Sequence, residues 1–256
     1  MQAIHYRADG NFVLTADLVL SGNFTPIFNF SGVLDGQGHT ISNLSITATA
    51  SLTSVAFVVS NGGTIKNLGF IDVTVTGINT SKTNWAAAIA TQNTGTIESC
   101  YVKGTVSGGY RSAGICAHNF GTIKNCYAIV NLSAKVECGE IASVLEAGSL
   151  IDSCYAIPQV HSDVNNTGGI SAYAYTGATI RNCAVYAGSI SNVNDENIGR
   201  ITGRLKDAPT FSNNIASDNV LINGSAVSGG ELINKNGLSV SDGELLLKST
   251  FEIDLG

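Results

Sequence analysis

Three carboxylates and a histidine stand close together in the middle of the chain. Glu137, Glu140 and Glu146 fall within one short stretch, and His118 precedes them by about one repeat length. A general acid and base acting on a glycosidic bond need two carboxyl groups about 5–10 Å apart. No second carboxylate group occupies the matching loops on either side, so these residues read as solvated surface charge. Asp35-Gly36-Gln37-Gly38-His39 has catalytic residue types, but its two glycines stand where a turn takes positive φ. The four histidines, at 5, 39, 118 and 161, are scattered. No Cys-x-x-Cys or His-x-x-x-His spacing occurs, no calcium loop, no Gly-x-Ser-x-Gly and no phosphate-cradling loop. No catalytic residue, metal or cofactor is expected.

A binding surface fits the residue types better. Trp85, Tyr110 and Arg111 lie in variable loops, and His118, Phe120, Tyr173 and Tyr175 lie in the loops that follow. Aromatics exposed along a groove would stack on sugar rings or on a protein partner. The alternative is that Tyr173, Tyr175 and Trp85 pack against neighbouring loops.

What would hold those loops is a repeat. Gly121-Thr122-Ile123-Lys124-Asn125-Cys126-Tyr127 returns, with variations, around Ile41, Ile65, Ile97, Ile151, Ile180 and Phe211. The intervals between these anchors run from 24 to 32 residues. That period with strand-like composition marks a solenoid. After each anchor comes an alternating run such as Ile71-Asp72-Val73-Thr74-Val75-Thr76, then a polar loop. A small-residue strand such as Ala113-Gly114-Ile115-Cys116-Ala117 follows. Three short strands per turn predict an all-β, right-handed parallel β-helix of seven to eight coils, since parallel crossovers are right-handed.

The residue after each anchor reads Lys66, Glu98, Lys124, Asp152, Arg181, so the sign alternates at every step. A parallel ladder in register would keep like charges apart in this way. The next position reads Asn43, Asn67, Ser99, Asn125, Ser153, Asn182, Asn213. These side chains would either bond along the axis, as in other cross-β stacks, or favour a turn. Cys100, Cys126, Cys154 and Cys183 share one position and predict a column of buried thiols. Side chains stacked about 4.8 Å apart in one direction do not aim at each other well enough to bridge. Cys116 and Cys138 fall outside that column.

The 256 residues divide into an N-terminal cap over 1–40, β-helix repeats over 41–225 and a C-terminal capping segment over 226–256, all one structural domain. Ser241-Asp242-Gly243-Glu244 resembles a capping box opening a short helix through Leu245-Leu246-Leu247-Lys248. Charged residues are only 12% and the net charge is −6 with no basic block, which argues against a nucleic-acid footprint. No apolar run approaches membrane-spanning length, so no membrane insertion is expected. Met1 to Tyr6 lacks the apolar region of a signal peptide, so a secreted parent would carry its leader upstream or have lost it.

The repeat resembles the GLUG-motif proteins, bacterial secreted or surface proteins built on pectin-lyase-like β-helices. The likeness rests on Val33-Leu34-Asp35-Gly36-Gln37-Gly38-His39-Thr40-Ile41-Ser42-Asn43-Leu44, the Gly-Thr-Ile-Lys-Asn-Cys-Tyr copies and the strand at 168–170. It covers roughly residues 11–250. It implies a structural role for the Asp35–His39 turn and an extracellular or cell-surface location. In similar proteins the capping segment runs on, whereas this chain stops at Leu255-Gly256, as a fragment or as a small virion or surface protein would. Three functions stay open. One is a non-catalytic adhesion, glycan-contact or spacer module touching a glycan or a host or cell-surface protein. The others are a polysaccharide lyase or hydrolase, and a phage tail or virion component contacting host glycans. The oligomeric state is open.

Overall fold

A three-residue strand such as Thr64-Ile65-Lys66 makes too few hydrogen bonds to persist alone, so its copies must pair with one another. The computed structural model, which describes residues 2–227, 229–231 and 233–245, has them stacked in parallel. One sheet holds eight strands in the order Asn11–Val13, Val33–Asp35, Thr64–Lys66, Thr96–Glu98, Thr122–Lys124, Leu150–Asp152, Thr179–Arg181 and Thr210–Ser212. Ile65, Ile97, Ile123, Ile151 and Ile180 are register partners along it, and all five are fully buried. The chain is a parallel β-solenoid, as the repeat predicts. Seven steps between eight rungs make a rod about 34 Å long at ~4.8 Å per step.

Ile41 does not open this column. Leu34 pairs with Ile65, and Phe12 with Leu34, while Ile41 pairs with Phe70 on another face. The Asp35–His39 turn therefore follows a rung of this column and leads into a strand of the third face, Thr40–Ser42. The short interval from Ile41 to Ile65 carries the reason, because Leu34 to Ile65 restores a spacing of 31 residues.

The charges beside the anchors pair two by two along the axis. Lys66 meets Asp35 at 3.3 Å, Lys124 meets Glu98 at 3.0 Å and Arg181 meets Asp152 at 2.7 Å. Such partly exposed pairs contribute a few tenths of a kcal/mol each. Asn67, Ser99, Asn125, Ser153, Asn182 and Asn213 all take φ between 50° and 54°, the left-handed region. Their common duty is to turn the corner, which Asn tolerates best among residues with a side chain. Bonding between neighbours of this column is confined to Asn213, whose Nδ2 donates to Asn182 Oδ1 at 3.1 Å. Cys100, Cys126, Cys154 and Cys183 follow the corner, buried and free, as do Cys116 and Cys138 elsewhere.

A second sheet of six strands runs from Val58–Asn61 through Ala90–Asn93, Cys116–Asn119, Ala142–Leu145 and Ser171–Ala174 to Thr202–Leu205. Asn61, Asn93 and Asn119 stack inside it, fully buried, each donating Nδ2 to the next Oδ1 at 2.7 Å. The third face is widest at Gly69–Thr76, Tyr101–Ala113 and Tyr127–Gly139, and breaks into shorter strands beyond.

Both ends are covered. A short helix, Gln2–Tyr6, places Ile4 on the first coil with 3% exposure. At the other end Leu238–Val240 pairs with Ile215–Ser217. Arg200 is fully buried beneath this segment. It donates to the carbonyls of Asn236, Ser217, Gly229 and Gly237 and to Ser239 Oγ. Ser241 and Glu244 form the expected capping box, with Ser241 N and Oγ donating to Glu244 Oε2 at 2.8 and 2.7 Å. The helix they open is Asp242–Leu245. Its expected continuation, Leu246-Leu247-Lys248, lies outside the described residues.

Candidate binding groove at the inner corner

Where the third face ends and the second sheet begins, the chain folds back on its outer side. The residues at this bend are Ala87, Ala113, Gly139, Gly168 and Gly199, one under another in register. Small residues are required because the two faces touch. A Cβ at Gly139, Gly168 or Gly199 would collide with the carbonyl of Ala142, Ser171 or Thr202. Ala56, Ala87, Ala113 and Ala117 form their own fully buried patch here, apart from the main core, with Trp85 packed over it.

Longer side chains stand on either flank. Trp85, Arg111 and Glu137 are register partners on one flank. His118, Val144, Tyr173 and Arg204 are partners on the other. The Arg111 guanidinium lies 5.8 Å from the Trp85 ring centre and Nε pairs with Glu137 Oε2. Trp85 Nε1 donates to the Lys82 carbonyl at 3.0 Å, and its ring meets His118 edge-on at 5.0 Å. His118 contacts Phe120 at 4.6 Å, and its Nε2 lies 2.6 Å from Glu146 Oε1. Tyr173 and Tyr175 stack at 4.4 Å, with Arg204 4.9 Å over the first ring and Lys206 5.2 Å over the second.

Of the residues singled out from sequence, Trp85, Arg111, His118, Phe120, Tyr173 and Tyr175 therefore share this corner. Tyr110 precedes Arg111 in the same strand, half-buried, with no aromatic or ionic contact to the described residues. Tyr173 is only 6% exposed, because its neighbours Tyr175 and Arg204 cover it. It contributes a packed edge instead of an open platform. Arg204 and Lys206 were not anticipated. They stand 31 residues after Tyr173 and Tyr175, the same interval that separates Ile180 from Phe211.

The carboxylates require a larger correction. Glu137 and Glu140 are buried, and Glu146 is largely covered, so none is solvated surface charge. Burial holds His118 below the ordinary imidazole range, against the pull of Glu146. The ring is neutral at neutral pH, with a proton on Nε2 toward the carboxylate. Its Nδ1 is buried with no partner. Glu140 points into the solenoid and is fully buried. Its Oε1 accepts the Val130 N–H at 2.5 Å, and Oε2 has no partner. Burial pushes its carboxyl well above the usual range, so it is a neutral acid. Glu137 and Glu146 are each committed to a basic partner, and Glu140 faces away. The corner can stack against rings and exchange hydrogen bonds, but it does not present two free carboxyls to one bond. Among the described residues, no three His, Cys, Asp or Glu side chains converge as a metal-binding group.

No family profile matches the chain. Halomucin of Haloquadratum walsbyi is 38% identical over 99 residues, which is 36% of this chain and 1% of that protein's length. A crystal structure from Bacteroides ovatus, described as a "putative immunoglobulin A1 protease", superposes with a TM-score of 0.71 over 92% of this chain and 79% of that one. At 20% identity, this likeness is one of fold.

Proposed function

We propose that the chain is a non-catalytic module of a larger extracellular or cell-surface protein, with the inner corner as its glycan-contacting face. The observation that carries this reading is the strip from Trp85 to Lys206. It crosses five successive coils, about 19 Å along the axis at ~4.8 Å per coil. Rings and hydrogen-bonding ion pairs alternate along it. Aromatic edges beside charged, bonded side chains are what a saccharide needs, one for its C–H face and the other for its hydroxyls. The repeat's resemblance to GLUG-motif surface proteins and the partial similarity to halomucin support the location.

A lyase or hydrolase would need a free acid and base at one bond, and the engaged states of Glu137 and Glu146 weigh against that alternative. Glycan-array binding tests the proposal. Arg204→Ala with Lys206→Ala, both on exposed side chains, is expected to weaken binding, and Trp85→Leu to weaken it further. Binding that ignores all three substitutions, or none at all, would sink the reading. A turnover screen on acidic and neutral polysaccharides separates the enzymatic alternative.

A further inference from the structure

A second groove lies on a different part of the coil, between the left-handed corner and the third face. Tyr101, Tyr127 and Tyr155 are register partners there. Their rings stack with centres 4.8 Å apart at each step, tilted by 2° and 12°. The ladder has defined ends. Toward the N-terminus it meets Gly69, whose missing side chain makes room for the Tyr101 ring, since a Cβ there would strike it. Toward the C-terminus the next register position is Ala184.

Beside the rings runs an open trough of about 570 Å³, within the ~300–1,000 Å³ of small-molecule sites. Asn67, Ser99 and Asn125 line its other side, one per coil. Asn67 is tied to Asp35 at 3.0 Å, and further along the rod Asn182 is tied to Asp152 at 2.8 Å. Ser99 and Asn125 stand on the coils between those of the two aspartates. Their side chains, like the three phenols, make no hydrogen bond to the described residues. Burial pushes the Tyr127 phenol up to about 12, so it stays an O–H donor. The lining contains no Asp, Glu, Lys, Arg or His; Lys103 stands outside it, its Nζ 5.8 Å from the Tyr101 ring centre and 5.9 Å from that of Tyr127.

We infer that this trough binds a neutral, linear, hydroxyl-rich saccharide lying along the solenoid axis. Stacking covers the ring faces, so the groove offers phenol hydroxyls, ring edges and corner amides. Each recurs once per coil. A ligand that uses them must present donors and acceptors at a repeat close to the coil pitch, as an extended chain of pyranose rings does. An uncharged lining adds nothing for a carboxylate or sulfate. The inference is independent of the inner-corner reading, since no residue is shared.

The test is calorimetric titration of the intact chain with soluble neutral glucan and mannan oligosaccharides, and with polyuronate oligosaccharides of equal length. Tyr127→Phe keeps the stack and removes one hydroxyl. Asn125→Gly removes the amide and keeps the left-handed backbone. Together, in a chain that already carries Trp85→Leu so that the inner corner is silenced, they are expected to weaken neutral-saccharide binding by about tenfold. Binding of polyuronates alone would overturn the inference, and so would no binding to any of these saccharides. Neutral-saccharide binding lost in Trp85→Leu itself would assign the ligand to the inner corner and overturn it equally, as would binding that the two added substitutions leave unweakened.

Discussion

His118 Nε2 lies 2.6 Å from Glu146 Oε1, while Nδ1 of the same ring is buried without a partner. One side of the imidazole favours the cation and the other penalises it, and burial prevails. The folded pKa is therefore below the unfolded value of about 6.5. As pH falls through that value the unfolded chain takes up the proton first, so this group's contribution to stability is lost on acidification. Proton-detected titration of the imidazole should place His118 below about 6.5, and lower again in Glu146→Gln. An imidazole titrating at or above the ordinary range would contradict the burial argument.

Asn93 sits in the middle of the buried amide ladder, accepting from Asn61 and donating to Asn119. Asn93→Ala leaves groups on both neighbours unsatisfied in the interior. It is expected to cost about 2–4 kcal/mol, measured by denaturant unfolding. Asn61 is at the end of the amide run, so Asn61→Ala should cost less. Equal costs would mean that the ladder does not act as a chain.

Glu140 gives the opposite pH dependence to an ion-paired carboxylate such as Asp152, whose folded pKa is lowered. Its folded pKa is raised, so the penalty for keeping it buried is absent below the unfolded value of about 4.3. The penalty grows as pH rises above that value, until the folded acid itself ionises. Glu140→Gln keeps an acceptor for the Val130 N–H and cannot ionise. Relative to the parent, the variant should gain stability as pH rises above about 4.5. A pH-independent difference would show that Glu140 is not buried as the neutral acid.

Arg200 holds the C-terminal segment through neutral acceptors alone. Arg200→Met should release it, leaving the carbonyls of Asn236 and Gly237 unpaired, since Ser217 and Gly229 keep the Val220 N–H and the Ser239 hydroxyl. A cost of about 3 kcal/mol is expected, with faster amide exchange in Leu238–Val240 and little change at Ile123. Uniform exchange along the rod would instead mean that the segment is not a separable cap.

The six thiols offer a simple check on the interior. Burial pushes Cys100, Cys138 and Cys154 well above the ordinary thiol range and Cys116 to about 12. None should react with a thiol reagent in the folded chain, and all six should react after unfolding. Rapid labelling of any one would place it at the surface.

Much of the scaffold was legible because a solenoid writes each coil with local signals. The Ile column, the alternating Lys66-to-Arg181 charges, the Cys column and the Ser241–Glu244 capping box each depend on residues a few positions apart or one period away. Ile41 misleads for the same reason: Thr40-Ile41-Ser42-Asn43-Leu44 copies the motif locally, although Ile41 belongs to another face and Leu34 holds its place in the column. The Asn61–Asn93–Asn119 ladder also left a trace, since each Asn stands two residues before the glycine of its Gly-Thr-Ile copy.

The period, the strand type and the stacking direction therefore followed from the sequence by itself, because each is a property of neighbours along the chain. Tertiary structure alone decided which polar residues lie inside, which carboxylates ionise and where a groove forms. Those outcomes depend on how sharply three faces close on one another. At Gly139, Gly168 and Gly199 that closure presses two backbones together. It carries Glu137, His118 and Tyr173 out of solvent, which no spacing along the chain expresses.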